Sequence, residues 1–169
     1  LYAYINQPEK QAFPEMNQYD LALRLLGLLG SSTAAILQTI KGIVKRLQGL
    51  ENAADEQSQW QEIQTAAESI PQDAKAGELL TVLKQGFSLM KKTGAKQKAV
   101  IFTESVETQK MLQNLLSDRY RTLAYNGSAD YSVIRQFKED GEVLISTDNG
   151  AKGFNLEEAA FIIHYDLPY

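Results

Sequence analysis

Four short runs of apolar residues near the end of the chain constrain its fold more than any other feature of the sequence. They lie at residues 99–102, 122–125, 143–146 and 161–165, and segments with helical spacing separate them. A wholly apolar run of this length is typical of a strand buried on both faces of a parallel sheet. Strands that alternate with helices predict a doubly wound α/β fold, whose ligands bind at the carboxyl ends of the strands.

The earlier part of the chain has a different pattern, with apolar residues at spacings of three and four. This spacing predicts amphipathic helices. Pro8 and Pro14 favour irregular structure at the start. We therefore expect an irregular leading segment at 1–19, an all-helical extension at 20–94 and an α/β domain at 95–169.

Polar residues and glycines predict where several helices begin and end. Asp20 is expected to cap one helix, and the serines before Thr33 to cap the next. Asp73 is expected to begin the last helix of the extension, which Gly94 would end. Ser105 is best read as a helix cap in the α/β domain.

Composition excludes several classes of site. The formal net charge is −4, so the basic surplus usual for a self-contained nucleic-acid module is absent. The sequence has no Cys and one His, His164, which excludes disulfides and clusters of thiolate or imidazole metal ligands. No apolar run approaches the roughly 20 residues that span a bilayer, so we expect no membrane partner.

The loop at residues 146–155 is the strongest candidate for a binding site. It follows the third apolar run and contains the hydroxyls of Ser146 and Thr147, two glycines and Lys152. Small hydroxyls and backbone N–H groups bind phosphate without needing net positive charge. These residues exceed what a simple turn needs, so the loop is expected to be functional.

Other suggestive residues have simpler interpretations. Asn126-Gly127 is most often a turn, and His164 inside an apolar run is more often a packed or edge residue than a base. The run Asp55-Glu56-Gln57-Ser58 resembles a metal-binding box, but no apolar strand precedes it, and we interpret it as chance.

The strand ends resemble motifs of superfamily-two helicases. Residues 99–105, followed by Glu107-Thr108-Gln109, resemble motif IV, and residues 144–156 resemble motif V. Residues 162–169 resemble the strand that leads toward motif VI. The likeness is greatest to the C-terminal RecA-like lobe of bacterial Swi/Snf-related helicases, within the wider group that includes the DEAD/DEAH-type enzymes. It implies a RecA-like parallel sheet with helices on both faces, preceded by the all-helical extension.

The resemblance also implies roles for the matching residues. Thr147 would hold a phosphate of the tracked DNA strand with support from Ser146, and Thr103 would lie near the DNA backbone. Gly153 would permit close backbone approach, and Asn155 would face the nucleotide. Lys152 is a further candidate for a phosphate contact, with a solvated surface charge as the alternative.

The implied parent protein is an ATP-hydrolysing translocase on double-stranded DNA, with RNA as a possible substrate. Its chemistry needs a P-loop, Mg²⁺-binding acids and an arginine finger. The sequence has no P-loop pattern and stops before motif VI, so both ends look cut. We expect half of a DNA track and half of an ATP cleft, inactive alone and without a tightly bound cofactor. ATP and Mg²⁺ would act in the parent, together with the missing first RecA-like lobe.

Two other functions stay open on the sequence. One is a non-catalytic Rossmann-like module that binds a nucleotide or a partner. The other is a small-molecule nucleotide enzyme with its site at residues 146–155. The family resemblance implies a cytoplasmic, nucleoid-associated bacterial protein. The residues do not determine whether the protein separates strands or translocates. They also do not determine its oligomeric state or the role of the helical extension.

Overall fold

The computed structural model describes residues 1–71, 73–127, 131–147 and 159–166. Its elements, in chain order, are α1 (Tyr2–Ile5), α2 (Gln18–Ser31), α3 (Thr33–Leu47), α4 (Ala54–Glu68), α5 (Ala74–Thr93), β1 (Ala99–Thr103), α6 (Val106–Leu116), β2 (Thr122–Tyr125), α7 (Ser132–Glu139), β3 (Val143–Thr147) and β4 (Phe161–His164). The chain divides into two compact units, a helical unit at Leu1–Asp73 and a sheet unit at Ala74–Tyr169.

The helical unit is built around one aromatic cluster. Trp60 of α4 is fully buried, with its ring centroid 4.7 Å from that of Tyr4 and 6.4 Å from that of Phe13. The apolar face of α3, including Ile36 and Ile40, joins the same core. The leading segment is therefore packed onto the helices, and within residues 1–19 the helical parts are α1 and the start of α2.

A single carboxylate fastens the leading segment to α4. Glu56 accepts hydrogen bonds from the Tyr4 hydroxyl at 2.5 Å and from the backbone N–H groups of Gln11 at 2.7 Å and Ala12 at 3.0 Å. Burial, and secondly the hydrogen bond to Glu56, raise the pKa of Tyr4 well above its ordinary value. The acidic run at residues 55–58 thus contains a structural carboxylate.

Helix starts in this unit match the sequence in one case and differ in another. Ser32 caps α3, since its hydroxyl accepts from the N–H of Ala35 at 3.0 Å. The expected cap of α2 at Asp20 is wrong, because Asn17 caps this helix and accepts from the N–H of Asp20 at 2.9 Å. Asn and Asp are both good N-caps, so residue type alone could not choose between them.

Four parallel strands form the sheet in the order β2-β3-β1-β4. All residues of β1 and β3 are buried, whereas β2 and β4 are partly exposed and lie at the two edges of the sheet in the described residues. The runs in the sequence therefore predicted all four strands. The expected burial on both faces holds for β1 and β3, whereas β2 and β4 are partly exposed because each has, within the described part of the chain, a neighbour on one side only.

Helices cover both faces of the sheet. On one face, α5 and α6 pack against alternate residues of the central strands, including Ile101 and Ile145. On the other face, Ile134 and Phe137 of α7 pack against Leu144. This is the RecA-like α/β arrangement, preceded by a helical region, that the sequence predicts.

The domain boundary expected near residue 94 lies earlier, between Asp73 and Ala74. The apolar face of α5 is buried against the sheet rather than within the helical unit. Gly86 allows this close packing, since a Cβ atom there would lie 2.6 Å from a ring carbon of Phe161. Gly94 does end α5, with a positive φ of 73°. The sequence change near residue 95 thus marks the first strand and not the start of the domain.

No helix within the described ranges has the length and apolar content needed to cross a membrane.

Candidate functional site

The ends of β1 and β3 lie side by side at the carboxyl edge of the sheet. The parallel register pairs Thr103 with Thr147 and Phe102 with Ser146. Thr103, Ser146 and Thr147 are all buried, with at most 4% of each residue exposed. Three of the residues selected from the sequence are therefore brought together at the edge where α/β sheets bind ligands.

The hydroxyl of Thr103 is used within the protein. It donates a hydrogen bond to Oδ2 of Asp166 at 2.6 Å. It also accepts from the backbone N–H of Ser105 at 3.4 Å. Its contact with a DNA backbone stays a prediction, and in such a complex the hydroxyl would have to retain or exchange these partners.

Asp166 is the organising residue of this edge, and no role was predicted for it. Its carboxylate accepts from Thr103, from the N–H of Glu104 at 3.0 Å and from Nζ of Lys75 at 2.8 Å. Only 8% of its side chain is exposed, and Lys75 also lies 4.1 Å from the ring centroid of Tyr165. One carboxylate thereby joins α5, the end of β1 and the end of β4.

The position of Asp166 directly after an apolar strand marks it in the sequence as a candidate, but its role does not follow from that position. Its partner Lys75 is 91 positions away and has no signal of its own in the sequence. Pairing the two requires knowing that α5 packs beside the edge of the sheet.

Gln109 is a second positioning residue at the same edge. Its buried side-chain amide donates to the carbonyl oxygens of Tyr125 at 2.9 Å and Ile145 at 2.8 Å. It therefore links α6 to the ends of both β2 and β3. Ser105 caps α6 as expected, since its hydroxyl accepts from the N–H of Thr108 at 3.2 Å.

Ser146 contacts Thr147 at the start of the candidate loop, because its hydroxyl donates to the Thr147 carbonyl oxygen at 3.1 Å. Lys152, Gly153 and Asn155 lie outside the described residues. Their roles, and the phosphate contact of Thr147, stay predictions.

Two further residues with simple interpretations in the sequence lie at this edge. Gly127 has a positive φ of 84°, a backbone conformation that favours glycine, and the turn expected at Asn126-Gly127 stays a prediction. His164 is exposed on β4, and its ring stacks on Phe102 with centroids 5.4 Å apart.

The charged groups of the sheet unit do not form a metal centre in its described part. The ranges that the structure describes contain no group of three or more His, Asp or Glu side chains placed to hold a metal ion. At the opposite end of the sheet, the buried Lys98 donates to the carbonyl oxygens of Phe137 and Gly141, the latter at 2.8 Å. This lysine is structural.

Fold and carboxyl edge together define a RecA-like α/β domain. The family model of the helicase conserved C-terminal domain matches residues 77–169, more than half of the chain. The chain therefore belongs to the helicase conserved C-terminal domain family.

Curated relatives include the DEAD-box ATP-dependent RNA helicase RhpA of two Helicobacter pylori strains, B128 and ATCC 700392 / 26695. Each is 29% identical over 82 residues, which is 45% of this chain and 17% of the relative. The chain thus spans about a sixth of the length of these relatives.

The crystal structure of the Pyrococcus furiosus Hef helicase domain has a similar fold. Its TM-score is 0.60 at 21% identity, covering 84% of this chain and 32% of that one. The sheet unit begins at Ala74 of 169 residues, so this coverage includes part of the helical unit as well.

Proposed function

We propose that this chain is the second motor lobe of an ATP-driven, helicase-like translocase on double-stranded DNA. It would supply half of the DNA track and half of the ATP cleft. The observation that carries the proposal is the pairing of Thr103 with Thr147 at the carboxyl edge, directly before the candidate loop, in a chain of the helicase C-terminal family.

The proposed coupling uses the two ends of one loop. Thr147 and neighbouring backbone N–H groups hold a DNA phosphate, with Lys152 as an additional contact. Gly153 and Asn155 lie eight or fewer positions further along and face ATP. One end of the loop would sense the DNA and the other the nucleotide, which would couple the two cycles. β1, β3 and Gln109 position the start of the loop.

The remaining catalytic groups belong to the rest of the proposed protein. We propose that ATP and Mg²⁺ bind there, with the P-loop and Mg²⁺ ligands on the first RecA-like lobe and the arginine finger in motif VI. The fragment alone would then have no ATPase activity. The cytoplasm, close to the nucleoid, is the proposed location.

RNA duplexes are the second candidate substrate, because the curated relatives are named RNA helicases. The test therefore compares ATP hydrolysis and binding with DNA duplex, with RNA duplex of the same sequence and with no nucleic acid. If RNA duplex stimulates ATP hydrolysis and DNA duplex does not, RNA replaces DNA as the proposed substrate.

The test of the loop uses the complete protein with Thr147→Val, Asn155→Ala or Lys152→Ala. Thr147→Val keeps the buried volume and removes one hydrogen bond, worth about 0.5–1.5 kcal/mol, or roughly two- to tenfold in DNA affinity. The dependence of affinity on salt should not change, since no charge is lost. Lys152→Ala should lower the slope of log affinity against log salt by about one. Asn155→Ala should weaken ATP binding.

Thr122→Val is the matched control, because Thr122 lies at the amino end of β2 and its hydroxyl donates to the carbonyl oxygen of Tyr120 at 3.0 Å. It should leave DNA and nucleotide affinities unchanged. If Thr147→Val and Asn155→Ala both match the parent in DNA affinity, nucleotide affinity and turnover, the loop is structural. The non-catalytic Rossmann-like module would then become the better interpretation.

A further inference from the structure

A stretch of the sheet unit is strongly basic although the chain as a whole is acidic. Between Leu79 and Thr103 the sequence contains five lysines and neither Asp nor Glu. The formal net charge of the whole chain is −4. Local charge, not net charge, determines the potential that a ligand meets at a surface.

Most of these lysines point to solvent. Lys84, Lys91 and Lys92 of α5 are exposed, as is Lys96 in the segment after it. No carboxylate among the described residues lies within ion-pair distance of Lys84, Lys91 or Lys92. Their positive charges are therefore available to an anionic ligand.

One side of α5 combines two of these lysines with neutral hydrogen-bonding groups. An open groove of about 550 Å³ runs along it. The residues that line it are Thr81, Lys84, Gln85, Ser88, Leu89 and Lys92. Their spacing of three and four places them on one side of the helix. We call this surface the lysine face.

The lysine face matches a polyanion better than a protein or a membrane. Lys84 and Lys92 are eight residues apart, which corresponds to about 12 Å along a helix. Ser88 lies midway between them, so hydroxyl and ammonium groups alternate along the groove. Leu89 is the only large apolar side chain in its lining, so the groove has no cluster of apolar side chains on which a protein partner or a bilayer would dock.

Compensation of the helix dipole explains only part of this pattern. Lys91 and Lys92 lie in the last turn of α5, where positive charge is favourable. Lys84 lies in the middle of the helix, beyond the range of that effect.

We propose that the lysine face of α5 binds the phosphate backbone of the nucleic acid on which the motor acts, as a contact separate from the loop after β3. The C-terminal end of α5 connects through residues 94–98 to the amino end of β1, whereas the loop leaves the carboxyl edge. This inference rests on the proposed function.

The test measures affinity for a fluorescein-labelled DNA duplex over a range of salt concentrations, using the full chain and the double variant Lys84→Gln, Lys92→Gln. Losing two phosphate contacts should lower the slope of log affinity against log salt by about 1.8 and weaken binding at low salt. The matched control is Lys45→Gln, Lys138→Gln, which removes two exposed lysines from the last turns of α3 and α7. The control should have the same slope of log affinity against log salt as the chain without substitutions. The melting temperatures of all three proteins should agree.

The outcomes separate this inference from the proposed function. If the parent binds duplex and the Lys84, Lys92 variant keeps both its affinity and its salt slope, the lysine face makes no contact and only this inference fails. If the chain without substitutions binds neither DNA duplex nor RNA duplex, both proposals fail. If the double variant loses binding to anionic phosphatidylserine vesicles but not to duplex, the face is a membrane contact and the inference is wrong.

Discussion

Each unit of this chain relies on one carboxylate that joins distant segments, but the two lie in different settings. Glu56 fixes the leading segment onto an aromatic core through Tyr4, Gln11 and Ala12. Asp166 fixes α5 to the carboxyl edge of a parallel sheet. The bonding is similar, yet only the second carboxylate lies where α/β proteins bind ligands. The place in the fold, and not the bonding pattern, makes Asp166 part of a candidate site.

The two units also differ in charge. The helical unit has nine acidic and five basic side chains, and the sheet unit has twelve of each. The entire net charge of −4 thus belongs to the helical unit. The acidic composition that argued against nucleic-acid binding therefore says nothing against binding by the sheet unit.

The largest expected effect comes from a substitution in the core of the helical unit. Trp60→Ala should lower the free energy of unfolding by about 3–5 kcal/mol, because a fully buried indole is replaced by a cavity. The measurement is urea denaturation followed by circular dichroism. Trp60→Phe keeps a ring beside Tyr4 and should cost clearly less.

Leu144→Ala makes the equivalent change in the sheet unit, where Leu144 is fully buried under α7. We expect a loss of about 2–5 kcal/mol. A cost below 1 kcal/mol for either alanine variant would show that the core around that residue is not packed as described.

The second prediction compares the two carboxylates. Asp166→Asn and Glu56→Gln should each cost about 1.5–3 kcal/mol of unfolding free energy, because each weakens several hydrogen bonds to a charged group. In the complete protein, only Asp166→Asn should also lower nucleic-acid-stimulated ATPase activity. The free energy of unfolding is measured by urea denaturation, and the ATPase activity by steady-state turnover.

Asp118→Asn and Glu62→Gln are the matched controls, since both side chains are exposed. Each should change stability by less than about 0.5 kcal/mol. Equal loss of turnover in the Asp166 and Glu56 variants would remove the functional distinction between the two carboxylates.

A third prediction compares two helix glycines with opposite surroundings. Gly86→Ala in α5 should destabilise the chain by about 1–3 kcal/mol, because the new Cβ meets the Phe161 ring. Gly42→Ala in α3 has nothing within 4 Å of the new Cβ. It should stabilise by about 0.5–1 kcal/mol, since alanine favours a helix. The two melting temperatures should therefore move in opposite directions, and a rise for Gly86→Ala would contradict the close packing of α5 on β4.

The sheet was largely predictable from the sequence because its signal is local. Each central strand begins with a run of apolar residues, and the expected bounds agree with β1 to β4 within one residue at each end. The place of α5 was not predictable in the same way. An amphipathic stripe shows which face of a helix is buried but not what covers it, so α5 was assigned to the wrong unit.

The candidate site was predictable only in part for a related reason. Thr103, Ser146 and Thr147 follow from their positions at strand ends. The Lys75–Asp166 pair and the bridging amide of Gln109 depend on contacts between elements far apart in the chain. Such contacts are set by the packing of helices on the sheet, and no short sequence pattern encodes them.

The last expected effect depends on pH and concerns Tyr4. Burial and the hydrogen bond to Glu56 raise the pKa of its phenol above the ordinary value of about 10. Above about pH 10 the unfolded chain therefore loses this proton while the folded chain keeps it. The contribution of this group to the free energy of unfolding is fully present below about pH 10. It falls as pH rises further, by at most about 1.4 kcal/mol per pH unit.

Tyr4→Phe should flatten this fall, although it lowers stability at neutral pH by removing the bond to Glu56. Tyr131→Phe removes an exposed phenol from the sheet unit and is the matched control, so it should keep the parent's slope. The measurement is the free energy of unfolding in urea at several pH values on both sides of pH 10. Identical slopes for the parent and Tyr4→Phe would mean that the Tyr4 phenol ionises equally easily in the folded and unfolded chains. The Tyr4 phenol would then not be buried against Glu56 as described, and the parallel between Glu56 and Asp166 would rest on the backbone N–H groups of Gln11 and Ala12 alone.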